Sequence, residues 1–346
     1  ALPIFKNRIL LYLFIFLLGL ISSFSLPPYD LFYINFFSYP ALLLLLLFYS
    51  KDKIISFSIG WIFGFGYFIS NLYWITNSLT FEDIFKPLIP FALLLIPLFL
   101  GLFYGFSTLV FSFLNPKKNF LSILILATSL SIFEYIRGFL FGGFPWNLVA
   151  FSFVNYLEFI QLLSITGTYA FNSIVILLFL SPTIVFFNYQ TNIKISIFIL
   201  SLLAIFTNYF WGSLNLKQFE LTEKEELGFT IKIISPKINI NRYFQNENPS
   251  EFISELINIS KPNLSSETLF ILPEGILSSI YFEDLKKFKT LFSNKFSKKH
   301  KIILGMNIYE KEKIYNSLIL LNNDLNIVEK YYKNKLVPFG EFLPFE

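Results

Sequence analysis

Long apolar runs constrain the fold of this chain more than any other feature. Seven runs each approach the roughly 20 residues that a helix needs to cross the hydrocarbon core of a bilayer. Unpaired backbone groups are costly in hydrocarbon, so these runs are predicted to be helices even where Phe and Ile would favour strands in water. The runs are residues 9–24, 31–49, 54–73, 88–114, 120–136, 162–187 and 193–211. The sequence therefore predicts seven membrane spans.

Charge divides the chain into two parts. Residues 1–215 contain 9 Lys or Arg and 6 Asp or Glu, whereas residues 216–346 contain 18 and 17. The first part is predicted to be a transmembrane helical domain and the second a water-soluble domain. The net charge of +4 is small and is spread over two unlike parts, so it does not indicate a nucleic-acid-binding protein.

Basic residues predict the orientation of the spans. They precede the first span and recur in every second connection, at Lys6, Arg8, Lys51, Lys53, Lys117, Lys118 and Lys194. The positive-inside rule then places the N-terminus in the cytoplasm, and seven crossings place the soluble domain on the periplasmic face of a bacterial inner membrane. Alternatively, the first run is a cleaved signal peptide, which would leave six spans and return the soluble domain to the cytoplasmic side.

The pattern changes after the charged stretch 217–228, which is predicted to be a linker. Strands are predicted at 229–235, 268–272 and 301–308, helices at 250–259 and 282–299, and a hairpin from 315–321 and 327–332. Strands separated by helices are typical of an α/β layered sheet with helices on its faces.

Two residues at predicted strand ends could carry chemistry. Glu274 follows an apolar strand, at the end where open α/β sheets place their sites. Lys333 ends the last predicted strand, and the next loop brings Glu341 close to it. A carboxylate and an amine on neighbouring strand ends could act as general base and oxyanion stabiliser in acyl transfer, so we expect Glu274, Lys333 and Glu341 to converge. Each could instead be a solvated surface residue.

Motifs along the whole chain carry a resemblance to a known family. They are Ser25-Leu-Pro-Pro-Tyr, Gly60-Trp-Ile-Phe-Gly-Phe-Gly-Tyr-Phe, Leu72-Tyr-Trp-Ile, Glu134-Tyr-Ile-Arg-Gly, Gly143-Phe-Pro-Trp-Asn, Leu272-Pro-Glu and Tyr331-Tyr-Lys-Asn-Lys-Leu-Val-Pro-Phe-Gly-Glu. In this order they resemble apolipoprotein N-acyltransferases, which join a polytopic α-helical membrane domain to a periplasmic nitrilase-like domain of the carbon-nitrogen hydrolase superfamily. The resemblance implies that residues 216–346 are the first part of an α-β-β-α layered domain.

The resemblance also implies roles for individual residues. Glu274 would be the general base of a Glu-Lys-Cys triad, Lys333 its lysine, and Glu341 a supporting carboxylate. The family spacing, eight residues from the lysine to the glutamate of Phe-Gly-Glu, selects Lys333 over Lys335. The family nucleophile is a later Cys, but this sequence contains no Cys and ends at Glu346. We therefore expect a truncated sequence, with a pseudoenzyme as the alternative.

The implied activity is the last step of bacterial lipoprotein maturation. A phospholipid would give its acyl chain to the Cys thiol, and the thioester would then acylate the N-terminal amine of a diacylglyceryl-Cys apolipoprotein. The protein would be a monomer in the bilayer, without a metal or organic cofactor. His300 has no companion ligands in the sequence and is expected at the surface.

Two other functions stay open at this point. One is a membrane-bound nitrilase-type amidase or acyltransferase with a different donor or acceptor. The other is a non-catalytic membrane scaffold or transporter, although a transporter would place ionisable residues within its spans and these runs have almost none at mid-membrane.

Several residues at the predicted outer interface could bind substrate. Trp74, Phe144 and Trp146 form either an ordinary aromatic belt or a platform that guides lipid to the catalytic domain. Glu134 and Arg137 are three residues apart on one predicted helix face. They form either an ion pair or, through Arg137, a site for a phospholipid headgroup phosphate.

Overall fold

A computed structural model describes residues 7–49, 51–81, 83–140, 143–222, 227–236, 248–277 and 280–337. The chain divides into two compact units, Ala1–Thr222 and Glu223–Glu346. The division lies later than the predicted boundary at residue 215, because the last helix of the first unit continues to Leu221. It falls within the charged stretch that the sequence marks as a linker.

The first unit is helical. Its α-helices in the described residues are α1 Arg8–Ser23, α2 Asn35–Tyr49, α3 Lys53–Asn71, α4 Ile89–Leu114, α5 Phe120–Arg137, α6 Leu157–Ile160, α7 Leu163–Thr166, α8 Thr168–Leu180 and α9 Thr191–Leu221. Short 3₁₀ segments at Tyr73–Thr80 and Asp83–Leu88 join α3 to α4, and Ser181–Phe186 extends α8.

Six helices in the described part of the chain are long and apolar enough to cross a membrane. They correspond to six of the seven predicted runs. The remaining run forms α1, which is 16 residues long and so about 24 Å, shorter than a hydrocarbon core of about 30 Å. α1 begins where the Asn7 side chain accepts a hydrogen bond from the Ile9 backbone, and it ends one residue before Phe24. The predicted run 162–187 is also interrupted, since Gly167 adopts a φ of 74° between α7 and α8.

Close helix crossings hold the first unit together. α3 packs between α1 and α4, and small residues stand at both crossings. A Cβ at Gly64 of α3 would lie 2.9 Å from the Cα of Gly101 in α4, and a Cβ at Gly19 of α1 would meet the carbonyl oxygen of Phe63. Lipid tails are as apolar as Leu, so such close packing stabilises helix pairs where the hydrophobic effect does not.

The second unit is an α/β unit, as predicted. Its described strands are β1 Thr230–Ile233, β2 Thr268–Glu274, β3 His300–Glu310, β4 Lys313–Asn322 and β5 Ile327–Tyr332, in the spatial order β1-β2-β3-β4-β5. The pairings β1–β2 and β2–β3 are parallel, and β3–β4 and β4–β5 are antiparallel. The helices α10 Pro249–Ser260, α11 Phe282–Leu285 and α12 Lys289–Ser293 contribute Ile253, Leu285 and Phe292 to the core, beside Phe270 and Ile302 of the sheet.

The structure differs from the sequence expectation at two places in this unit. The Lys-rich helix predicted over 282–299 is broken by a 3₁₀ turn, Lys286–Phe288, and ends at Ser293. The chain leaves the helix because Phe296 turns inward and is buried against Phe270. A tight turn between β3 and β4 also escaped the sequence analysis, because its left-handed residues, Lys311 and Glu312, are not the Asn and Gly that such turns favour.

His300 is buried and not at the surface, which corrects the sequence expectation. Its Nδ1 accepts a hydrogen bond of 3.1 Å from the Ser297 backbone, so Nε2 carries the hydrogen and donates to the Asn263 carbonyl at 2.9 Å. Both ring nitrogens are therefore satisfied inside the protein, and the ring can be buried among its aromatic neighbours without an unpaired polar atom.

Candidate active site

The fold of β2 and β3 places Glu274 at the carboxyl edge of the sheet. Glu274 is the last residue of β2 and lies opposite Gly305 of β3, after a register shift that begins at Ile271. The backbone N–H of Gly275 donates to the Gly305 carbonyl at 3.2 Å. A Cβ at Gly305 would lie 2.9 Å from the Glu274 Cα, so the absence of a side chain there lets the Glu274 backbone approach β3.

Lys333 reaches the same edge from β5, which is the last strand in the spatial order of the sheet. It directly follows β5, and its backbone N–H donates to the Asn316 carbonyl of β4 at 2.9 Å. Its Nζ lies 3.2 Å from Oε1 of Glu274. The predicted convergence of Glu274 and Lys333 is thus confirmed, and the lysine in contact is the one that the spacing argument selects. Glu341 lies outside the described residues.

Asn316 is a third member of the cluster, and the sequence analysis did not identify it. Its side-chain Nδ2 donates to Oε1 of Glu274 at 2.8 Å, so two donors meet the same carboxylate oxygen. A signal was present in the sequence. Asn316 and Ser317 are polar and directly precede the apolar run Leu-Ile-Leu-Leu of the same strand. Asn is depleted in strands, so Asn316 is unusual at this position.

The cluster is open enough to receive a reactant. The Glu274 side chain is 61% exposed and the Lys333 side chain 31% exposed. An ionised carboxylate accepts protons and an ammonium group donates hydrogen bonds. The two side chains can therefore serve as general base and oxyanion stabiliser at one reacting centre. The described residues contain no group of three or more His, Cys, Asp or Glu side chains that could bind a metal.

In the first unit, the fold brings together the aromatic residues predicted to contact lipid. The rings of Trp74 and Trp146 meet edge to face with centroids 6.0 Å apart, and Phe144 packs against Trp146 at 5.0 Å. Trp74 and Trp146 are about half exposed and line a cleft of about 330 Å³. Leu26 and Pro27 also line the cleft.

Arg137 is held among protein groups inside the first unit. The ion pair with Glu134 is confirmed, with Nη2 of Arg137 3.4 Å from Oε2 of Glu134 and both side chains at most 2% exposed. Nη1 of Arg137 donates to the carbonyls of Phe144 and Trp146 at 2.6 and 2.7 Å. The guanidinium therefore faces protein groups in a buried site, and headgroup binding by Arg137 stays a prediction.

Comparison with known proteins agrees with the resemblance in the motifs. Residues 18–181 match the family model described as the apolipoprotein N-acyltransferase N-terminal domain. Proteins named apolipoprotein N-acyltransferase from Brucella suis, Agrobacterium fabrum and Rickettsia prowazekii are 27%, 27% and 28% identical over 96%, 95% and 86% of this chain. The chain covers 65%, 64% and 60% of the length of these relatives. The chain is therefore similar to proteins named apolipoprotein N-acyltransferase over most of its length, and its helical unit matches their N-terminal domain.

Proposed function

We propose that this chain contributes the membrane domain and the general base and lysine of an enzyme that N-acylates lipoproteins. The acyl chain comes from a phospholipid, and the acceptor is the N-terminal amine of a diacylglyceryl-Cys apolipoprotein. The observation that carries the proposal is the contact of Lys333 Nζ with Glu274 Oε1 at an open sheet edge, in a chain whose relatives bear the name of this activity.

The first step forms a thioester. The nucleophile is a Cys thiol, which these 346 residues do not contain. As sulfur attacks the ester carbonyl of the phospholipid, Glu274 accepts the thiol proton and Lys333 donates a hydrogen bond to the oxyanion. The carbon–oxygen bond then breaks, and the departing lysophospholipid oxygen takes the proton from Glu274.

The second step transfers the acyl group to the acceptor. The neutral N-terminal amine attacks the thioester carbonyl, and Lys333 again stabilises the oxyanion. The carbon–sulfur bond breaks and the amide forms. Glu274 passes the proton lost by the amine to the sulfur, which restores the thiol.

The remaining parts of the proposal concern fold and location. The mixed sheet is the first portion of an α-β-β-α nitrilase-like domain, and Glu341 supports Glu274 and Lys333. The chain lies in a bacterial inner membrane, where α1 crosses as a seventh span by local thinning of the bilayer around its 16 residues. The α/β unit is then periplasmic, on the side where apolipoproteins receive their acyl chains. Trp74, Phe144 and Trp146 contact the phospholipid donor.

The test uses phospholipid with a labelled acyl chain and compares two proteins side by side: residues 1–346 and the product of the complete reading frame. Label should appear on the second protein as a hydroxylamine-sensitive thioester and then on the apolipoprotein N-terminus. Residues 1–346 should insert into membranes but acquire no label, because no thiol is present.

Two results would contradict the proposal. Transfer of label by residues 1–346 would show that the nucleophile is a residue other than Cys. Absence of label on the folded, membrane-inserted product of the complete reading frame would favour a non-catalytic scaffold.

A further inference from the structure

A charged cluster is buried inside the helical unit. Glu134 in α5 is 1% exposed. Its Oε1 accepts a hydrogen bond of 2.8 Å from the Tyr104 hydroxyl of α4, and its Oε2 accepts one of 3.2 Å from Asn172 Nδ2 of α8. The same Oε2 pairs with Arg137. Ionisable residues within a membrane domain are costly and are kept mainly where they serve a site, so this cluster needs a functional explanation.

The other end of the cluster is the backbone of residues 144–150, which we name the tryptophan loop. Nη1 of Arg137 bridges two carbonyls of this loop, those of Phe144 and Trp146. The Phe144 N–H in turn donates to the Arg137 carbonyl at 2.9 Å. The guanidinium can hold two carbonyls because its donors lie in a rigid plane, which a Lys ammonium lacks.

Two further side chains hold the rest of the tryptophan loop. Asn172 uses its Nδ2 for Glu134, which leaves Oδ1 to accept a hydrogen bond of 2.9 Å from the Ala150 N–H. The Tyr67 hydroxyl of α3 donates to the Asn147 carbonyl at 3.1 Å. Asn147 has a φ of 59°, a conformation that costs a non-glycine residue energy unless its surroundings impose it. The loop backbone is thus fixed by side chains from α3, α5 and α8.

Glu134 connects these contacts. It supplies the counter-charge that lets Arg137 be buried, and it accepts from Asn172 so that the amide oxygen faces Ala150. An ion pair that served stability alone could be replaced by apolar side chains of similar volume. Apolar side chains could not bind the loop carbonyls and N–H, so the geometry favours a positioning role.

We propose that Glu134 is a positioning residue that, through Arg137 and Asn172, fixes the tryptophan loop so that Trp146 forms one wall of the acyl-chain site for the phospholipid donor. Trp146 and Trp74 face the cleft of about 330 Å³, which lies within the range of about 300–1,000 Å³ typical of ligand sites. The cleft is lined almost entirely by apolar side chains, which suits a hydrocarbon chain. The identity of this occupant rests on the proposed function, whereas the fixation of the loop does not.

The first experiment measures the loop without requiring activity. The sequence contains four Trp residues, so Trp61→Phe, Trp74→Phe and Trp211→Phe together leave Trp146 as the sole reporter. In phospholipid nanodiscs, Arg137→Lys and Glu134→Gln should each raise the acrylamide quenching of Trp146 at least about twofold. The first substitution removes the planar donor to two loop carbonyls, and the second removes the counter-charge that keeps Arg137 in place.

A matched control lies on the same helix. Ser129 of α5 is buried and hydrogen-bonded to Ser107 of α4 at 2.8 Å, so Ser129→Ala also removes a buried polar contact. It should leave the quenching of Trp146 unchanged. A second reporter that retains only Trp211 should be unchanged in every variant, which would show that the helical unit is still folded. If Trp146 quenching in Arg137→Lys equals that of the control, or if the Trp211 reporter changes as much as Trp146, the positioning role is wrong.

The second experiment tests the occupant in the product of the complete reading frame. Arg137→Lys should raise KM for the phospholipid donor about tenfold and change kcat less than about threefold, because the loop contacts bound lipid and not the reacting atoms. Ser129→Ala should change neither constant. If the acrylamide quenching of Trp146 rises but the KM for the phospholipid donor is unchanged, the assignment of the acyl-chain site is wrong. Absence of acyl transfer in the unsubstituted protein would instead contradict the proposed function, and the Trp146 measurement would still decide whether Glu134 positions the loop.

Discussion

Two donors among the described contacts meet the same oxygen of Glu274, and one of them is Lys333. Lys333 Nζ is 3.2 Å from Oε1, and Lys335 follows two residues later in the chain. Lys333→Met should lower the rate of acyl transfer by about 10²–10³-fold, since one oxyanion donor is lost. Lys335→Met is the matched control and should alter the rate less than about threefold. Single-turnover transfer of labelled acyl chain by the product of the complete reading frame measures both. Equal losses in the two variants would contradict the assignment of Lys333.

Asn316 permits a second prediction at the residue scale. Its Nδ2 holds Oε1 of Glu274 at 2.8 Å, and hydrogen bonds to charged groups contribute about 1.5–3 kcal/mol. Asn316→Ala should therefore slow thioester formation about tenfold, because Glu274 keeps Lys333 but loses its second fixed contact. Ser317→Ala on the same strand, where the hydroxyl bonds only the nearby Tyr315 carbonyl among its described contacts, is the control. A rate in Asn316→Ala equal to that of the control would show that Asn316 does not orient the base.

Among the strands, side chains of β3 and β5 form hydrogen bonds across the intervening strand β4. Glu310 at the end of β3 accepts a hydrogen bond of 2.8 Å from Lys330 Nζ of β5 and another from the Tyr332 hydroxyl. The hydrogen bond from Lys330, followed by that from Tyr332, lowers the pKa of the Glu310 carboxyl below its ordinary value of 4.5. The hydrogen bond with Glu310 raises the pKa of Lys330. Both ionised forms are thus favoured in the folded sheet.

The shifted Glu310 pKa predicts a pH-dependent contribution to stability. A carboxyl whose pKa is lower in the folded state stabilises the fold above its unfolded pKa near 4.5, and this contribution is lost as the pH falls through the folded pKa. Glu310→Gln should therefore lower the urea midpoint of the α/β unit at pH 7 and have a smaller effect at pH 3. Pulse proteolysis with thermolysin at pH 7 and pepsin at pH 3 measures the midpoints in the membrane-inserted chain.

A control for this prediction is Glu312→Gln in the neighbouring turn, which should not show the same pH dependence. If Glu310→Gln lowers the urea midpoint as much at pH 3 as at pH 7, the hydrogen bond between Lys330 and Glu310 does not depend on an ionised carboxylate. In that case shape or packing at the end of β3, and not the charge of Glu310, would explain the loss of stability.

At the scale of the whole molecule, the number of crossings decides which side of the membrane carries the α/β unit. Six helices in the described residues have spanning length, and α1 is shorter. Alkaline phosphatase fused after Leu216 should be active, because α1 makes the number of crossings odd and the basic connections stay in the cytoplasm. A fluorescent protein fused at the N-terminus should also be bright.

The control for the topology is a fusion after Asn115, in a connection that carries Lys117 and Lys118 and is expected in the cytoplasm. Phosphatase there should be inactive and a fluorescent reporter bright. Inactive phosphatase after Leu216, together with a bright fluorescent reporter at the same point, would show an even number of crossings. The six helices of spanning length would then be the only spans among the described residues.

Short stretches of sequence are enough to predict the elements that form locally. Apolar length predicts helices in the first unit, alternating strands and helices predict the mixed sheet, and strand ends place Glu274 and Lys333 on one edge. These features follow from backbone hydrogen bonding and from the direction of parallel strands, which a linear pattern records. Where local signals are weak, as in the turn at Lys311 and Glu312, the same reasoning failed.

Which polar groups are buried, and what they bind, depends on packing between parts of the chain that are distant in sequence. The sequence predicts for Arg137 either an ion pair with Glu134 or a headgroup contact, but it does not show that Arg137 holds the tryptophan loop. His300 lies in a Lys-rich stretch, yet it is fully buried. Asn316 of β4 joins Glu274 of β2 across β3. The physical reason is common to all three. A polar side chain can be buried wherever its hydrogen-bond partners meet it, and those partners come from backbone and side chains that packing, not sequence order, brings together.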